Sequence, residues 1–160
     1  MRMIKIQIAN KDHVALMAGN MRQCDQDECR AVSGASAEEA LRRGLYESSV
    51  CWALTIEGMP FMIGGVAPKG SLTEGGTPWA LGTDVVKTEE GAYALNRIVG
   101  DCLNEMLDAY GYLENYVDAR NHVSIKWLKR CGFKFGKAKI YGVEKRPFYR
   151  FYMTREDNNV

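Results

Sequence analysis

The sequence holds little from which to build metal or disulfide chemistry. Only two histidines, His13 and His122, occur in 160 residues, and the five cysteines (Cys24, Cys29, Cys51, Cys102, Cys131) are odd in number and irregularly spaced. Neither a zinc site nor a disulfide framework follows from that supply. A nucleophilic cysteine needs a placed base, and none stands out beside any of the five. An excess of one charge is also missing. Lys plus Arg at 21 against Asp plus Glu at 20 leaves +1, so nothing draws the whole chain to nucleic acid or an anionic membrane. The local run Lys126, Lys129, Arg130, Lys134, Lys137 and Lys139 leaves a local basic patch open, but reads first as a solvated helix face and its following loop. No apolar stretch approaches a membrane span, and the N-terminal residues alternate instead of forming a signal-peptide core, so a cytosolic protein is expected.

What is present is ordinary globular material: 46% hydrophobic and 26% charged residues, enough in 160 residues for one domain with a sizeable core. "MIKIQI" alternates at period two, which predicts a half-buried first strand, and "KDHVALMAGN" predicts a short helix. Met21 to Ser36 shows no sustained periodicity and reads as a long loop. Ser36 and Glu39 then stand at capping-box spacing, opening a helix that ends near Ser48. "VCWALTI" and "PFMIGGV" flank Glu57-Gly58-Met59 and predict an antiparallel hairpin. After a turn-rich loop from Pro68 to Gly76, "PWALGTDVV" reads as a fourth strand with an internal Gly82, which marks a bulge, a packing kink or a close backbone approach. Thr88 caps a long core helix running to Gly111. "LENYVDA" is a fifth strand, "HVSIKWLKRC" a helix stopped by Gly132, and "KIYGVEKRPFYRFYM" a terminal hairpin turning near Lys145. That order demands an α/β (α+β) fold: a mixed, largely antiparallel sheet of six to seven strands, covered on both faces by about four helices.

The spacing of Asn121, Ser124, Ile125, Trp127 and Gly132-Phe133 resembles the fourth-helix motif of the GCN5-related N-acetyltransferases (GNAT), and the element order agrees with that fold. The blocks "DECRAVSG", "EEALRRGL", "PWALGTD", "NYVDARN", "WLKRCGF" and "RPFYRF" together resemble the small internal virion protein family of tailed podophages, a diverged GNAT-like family. The resemblance implies fourth and fifth strands that are parallel and splayed. It also implies acetyl-CoA and an amine acceptor as substrates, or phage structural proteins as partners, in the infected host cytoplasm or the virion.

Acyl transfer from coenzyme A to an amine requires a pyrophosphate cradle, a strand gap for pantetheine, a base for the ammonium and an acid for the thiolate. The superfamily's cradle, Arg/Gln-x-x-Gly-x-Gly/Ala, falls here on Thr88-Glu89-Glu90-Gly91-Ala92-Tyr93, which keeps Gly91 and Ala92 but brings two carboxylates to the phosphate position. Those carboxylates also suit a helix first turn through its dipole. Val85 and Val86 are the expected backbone partners of pantetheine, with Asn121 and Ser124 on the cofactor side. Asp84 and Asp118, expected to converge from adjacent strands, and Glu28, in the loop over the acceptor side, are the candidate bases. Each could instead cap a turn or pair with Arg120. Leu128 stands where the superfamily commonly has the acidic tyrosine, so Tyr116 or Tyr141 would have to supply the phenol, although a packing role suits both. Three readings stay open: an acetyl-CoA-dependent N-acyltransferase with a degenerate cofactor loop, a non-catalytic virion or internal-core assembly protein, and a CoA-derivative binder without turnover.

Overall fold

A computed structural model describes residues 2–70 and 74–158 of the chain. The centre of the expected turn-rich loop from Pro68 to Gly76, residues 71–73, lies outside the described residues. In chain order the elements are β1 (Ile4–Ile8), α1 (Lys11–Ala18), α2 (Gln23–Ser33), α3 (Ala37–Glu47), β2 (Val50–Ile56), β3 (Met59–Pro68), β4 (Gly76–Gly82), α4 (Glu89–Tyr110), β5 (Tyr112–Asp118), α5 (His122–Arg130), β6 (Lys134–Tyr141), β7 (Arg146–Thr154) and α6 (Arg155–Asn158). The sheet has seven strands in the order β1-β2-β3-β4-β5-β7-β6. Every neighbouring pair is antiparallel except β4 and β5, which run parallel.

Local chemistry sets most boundaries. Asn10 caps α1, accepting from the N–H of Asp12 and His13 and donating its own N–H to His13 Nδ1 at 3.1 Å. Ser36 Oγ accepts from Glu39 N–H to open α3, and Thr88 Oγ1 accepts from Gly91 N–H to open α4. Gly111 ends α4 in the left-handed region at φ 74°. The β2–β3 turn places Glu57 and Gly58 both at positive φ, the geometry that keeps the strand twist through a two-residue hairpin.

Two expectations need correction. The stretch from Met21 to Ser36 is not a loop: it carries α2, closed by Gly34 at φ 76°. Its buried positions are Asp25 and Ala31, so the apolar stripe that betrays a helix is missing from its inner face. The second correction concerns the fourth strand, which stops at Gly82. Asp84–Lys87 form a 3-10 turn held by Thr83, whose Oγ1 accepts from Val85 N–H and whose carbonyl accepts from Val86 N–H.

The core lies on both sides of the sheet. Residues of α1 and α3, including Val14, Met17 and Leu41, pack with Ala53, Ile63 and Leu81 on one face. On the other, Leu103, Met106 and Leu107 of α4 and Leu128 of α5 meet Leu113, Val117 and Phe151. Toward the β1 side, Ala94 of α4 joins Leu54, Ile56 and Met62. Trp79 fixes α3 on β4: its indole N–H donates to Ser48 Oγ at 2.7 Å, and its ring leaves no room for a side chain at Gly44.

Gly44 and Gly100 make a matched test. Alanine favours a helix interior by ~1 kcal/mol over glycine. A Cβ at Gly44 would stand 2.4 Å from the Trp79 ring, whereas one at Gly100 meets nothing within 4 Å. Overpacking costs ~1–3 kcal/mol. Gly44→Ala is therefore expected to lower the melting temperature and Gly100→Ala to raise it, as read by thermal unfolding of both variants.

Candidate functional site

The parallel ladder between β4 and β5 is confined to one register pair, Gly76 with Leu113. The side chain of Asn115 takes over where the ladder stops: its Nδ2 donates to the Pro78 carbonyl at 2.7 Å and its Oδ1 accepts from Tyr116 N–H at 2.8 Å. Beyond Asn115 the strands diverge. Main-chain groups point to the same side at every second residue, so Ala80, between Pro78 and Gly82, turns its N–H and C=O into the gap.

The wide end is spanned by α2. Asp25 Oδ2 accepts from Gly82 N–H at 2.9 Å, and one helical turn later Glu28 Oε1 accepts from Asp118 N–H at 2.9 Å. Two carboxylates of one helix thus each hold the last amide of one diverging strand. Arg22 completes the β4 side, donating its N–H to the Gly82 carbonyl and its guanidinium to both oxygens of Asp25. Asn121, which caps α5 through Ser124 N–H, donates Nδ2 to Glu28 at 3.4 Å. The β6–β7 turn docks on the far end of α2, Val143 and Glu144 donating to the Val32 and Ala31 carbonyls.

Beneath this bridge a cavity of about 410 Å3 passes between β4 and β5, lined by Glu28, Cys29, Trp79, Ala80, Tyr116 and Trp127 among others. A narrower space of about 80 Å3 lies between the start of α4 and α5, bordered by Arg22, Ala92, Ser124 and Trp127. Trp127 borders both, and its indole N–H is buried with no acceptor among the described residues.

Charge in the gap is set by burial. Burial pushes Glu28 up to about 7, the nearby Asp25 and Asp118 charges adding to it against the two hydrogen bonds that favour the carboxylate. Asp25 is also raised, burial outweighing Arg22. Asp118 goes the other way: burial pushes up, but the fork to Arg120 at 2.7–3.2 Å and the Arg120 N–H outweigh it. Cys29 is driven up to about 12 by burial and then by Glu28 and Asp25, so this cavity-lining thiol is no nucleophile. A carboxylate near neutrality is suited to accepting a proton, and only Glu28 among the candidate bases combines that with a place on the cavity wall.

The other expected residues are not brought together. Asp84 sits on the 3-10 turn with its side chain 78% exposed and pairs with Lys87, whereas the Asp118 side chain is 3% exposed. The two do not converge, because β4 ends before Asp84. Val85 and Val86 are not extended, and both of their N–H groups are spent on Thr83. Gly91 is a packing glycine: a Cβ there would meet the Val85 carbonyl at 2.0 Å. The Gly91 and Ala92 N–H groups are taken by Thr88 Oγ1 and the Thr88 carbonyl. Glu90 is tied to Arg2 at 2.5 Å. This helix start therefore does not fit a pyrophosphate, while the gap between β4 and β5 is lined mainly by apolar and aromatic side chains. Tyr116 is stacked on Tyr141 at 4.5 Å with the Lys139 ammonium 4.6 Å from its ring centre, which is a packing arrangement. Leu128 is buried in the core. Asp25, Arg22, Asn115 and Trp127 were not foreseen as site residues. Acidic residues at i and i+3 followed by Ser33-Gly34 were the available signal for α2.

The fold is that of known acetyltransferases. A spermidine N-acetyltransferase SpeG chimera of Vibrio cholerae and hSSAT superposes with a TM-score of 0.69 at 8% identity, covering 98% of each chain. The ribosomal-protein-S18-alanine N-acetyltransferase of Escherichia coli gives 0.65 at 16% identity over 95% of this chain and 94% of its own. Aminoglycoside acetyltransferase AAC(6')-Ib, solved in complex with coenzyme A, gives 0.69 at 12% identity over 98% of each. By sequence, a family model described as "Bacteriophage T7, probable scaffold protein Gp13" matches residues 50–139, more than half of the chain. No curated protein matches.

Glu28 gives a pH dependence with a definite sign. Its carboxyl ionises near 4.5 when unfolded and near 7 when folded, so between those values the folded state holds the extra proton. Its contribution is fully present below about 4.5 and is lost as pH rises to about 7, by at most roughly 3 kcal/mol. Denaturant titrations across that window are expected to show Glu28→Gln, which can still accept from Asp118 N–H, with a smaller fall in stability than the unsubstituted protein. Asn115→Ala, which strands the Pro78 carbonyl and Tyr116 N–H, is expected to cost ~1–3 kcal/mol at every pH.

Proposed function

The chain belongs to the bacteriophage T7 probable scaffold protein Gp13 family, and from that membership we propose that it serves the assembly of a phage particle and transfers no acetyl group. Its partners on this reading are phage structural proteins, met in the cytoplasm of the infected host and retained in the virion. The observation that carries it is the closed start of α4. Thr88 holds the Gly91 and Ala92 N–H groups, the Val85 carbonyl fills the space above Gly91, and Glu89 and Glu90 put carboxylates in the first turn. A pyrophosphate would have to displace the cap and approach like charge. Acid catalysis lacks its phenol too, because Leu128 is packed in the core.

A second reading, a binder of a CoA derivative without turnover, is favoured by the cavity between β4 and β5. Such a ligand would enter by its pantetheine arm, leaving any phosphate outside the closed helix start.

Calorimetry with acetyl-CoA and with pantetheine, alongside mass spectrometry of an amine panel, separates these readings. The assembly reading expects no acetyl-CoA heat and no acetylated product. Saturable acetyl-CoA binding with product formation overturns it. Saturable pantetheine binding without acetylated product supports the second reading.

A further inference from the structure

Among the described residues, β1 forms one edge of the sheet and pairs only with β2. Met3 accepts through its carbonyl from Glu57 N–H, and Ala9 donates its N–H to the Cys51 carbonyl, so the odd-numbered residues of this strand face β2. Ile4, Ile6 and Ile8 therefore turn their main-chain N–H and C=O outward. Their side chains share one face, since Ile4 lies opposite Ile56, Ile6 opposite Leu54 and Ile8 opposite Trp52. Ile4 joins the α4 core there, but Ile6 is 41% and Ile8 68% exposed. Edges of soluble proteins are normally blunted by short length, charge, proline, a bulge or a covering segment. β1 has no proline, keeps an unbroken register with β2, and has its one charge, Lys5, on the opposite face.

We propose that this edge pairs with the same edge of a second copy, antiparallel, about a two-fold axis at Ile6. That register opposes Ile6 to its own copy and Ile4 to Ile8, each of these pairs exchanging two main-chain hydrogen bonds because the outward groups sit on those residues. Side chains match as well. Isoleucines meet isoleucines on the open apolar face, Lys5 stands opposite Gln7, and Arg2 falls opposite Asn10, so no like charges face each other. The axis continues two seven-stranded sheets into one and covers Ile6 and Ile8. The inference stands independently of whether the cavity binds a ligand.

Sedimentation over a concentration series tests it with variants at exposed positions. The full chain is expected to be a dimer. Gln7→Lys places like charge opposite Lys5 twice per dimer and Gln7→Glu opposite charge twice, so the dissociation constant should rise and fall respectively by roughly 2- to 30-fold. Ile6→Lys and Ile6→Glu should each be monomeric with an unchanged circular dichroism spectrum, and their equimolar mixture should re-form a dimer. A monomeric full chain at every concentration, or a dimer indifferent to all four substitutions, overturns the proposal, as does recovery of an unrelated protein strand on β1 in place of a second copy.

Discussion

The architecture depends on how one helix holds open a parallel pair of strands that stops pairing almost as soon as it starts. Two strands leaving each other inside a domain expose main-chain amides that no ladder satisfies, and a buried unpaired N–H is costly. Here α2 supplies the acceptors: Asp25 takes Gly82 N–H and Glu28 takes Asp118 N–H. The same bonds decide other properties. They fix α2 over the gap, they set the half-buried Glu28 close to the buried Asp25, and they leave beneath them a cavity reaching both helix layers.

The remainder of the site is arranged around that bridge. Arg22 and Asn121 orient the two carboxylates, and Arg120 keeps Asp118 ionised beside them. Asn115 performs the corresponding service at the narrow end, replacing ladder bonds with side-chain ones. At the start of α4, Thr88 Oγ1 is engaged by both the Val85 carbonyl and Gly91 N–H. The fold does not by itself fix the chemistry grafted on it, since packing of the sheet requires no ligand.

Much of the fold could be read from the chain. The apolar run "VCWALTI" before Glu57-Gly58-Met59, Thr88 and Gly111 around the long helix, and the Asn121 to Gly132 stretch each give elements within a residue or two of those observed. The site was less legible for a physical reason. α2 buries Asp25 and Ala31 where an apolar stripe was sought, because its inner face meets unpaired amides instead of hydrophobic side chains. The fourth strand is shorter than the strand-like "DVV" suggests, because Thr83 accepts from the Val85 and Val86 N–H groups and turns the backbone. That single turn moved Asp84 out of the gap and took Val85 and Val86 from any extended partner.

Amide hydrogen exchange at two positions tests the central claim most directly. With α2 bridging the gap, the Gly82 and Asp118 amides should be protected like ladder amides although neither faces a paired strand, and Glu28→Ala should release Asp118. Free exchange of both amides in the unsubstituted protein, or protection of Asp118 that survives Glu28→Ala, would contradict it.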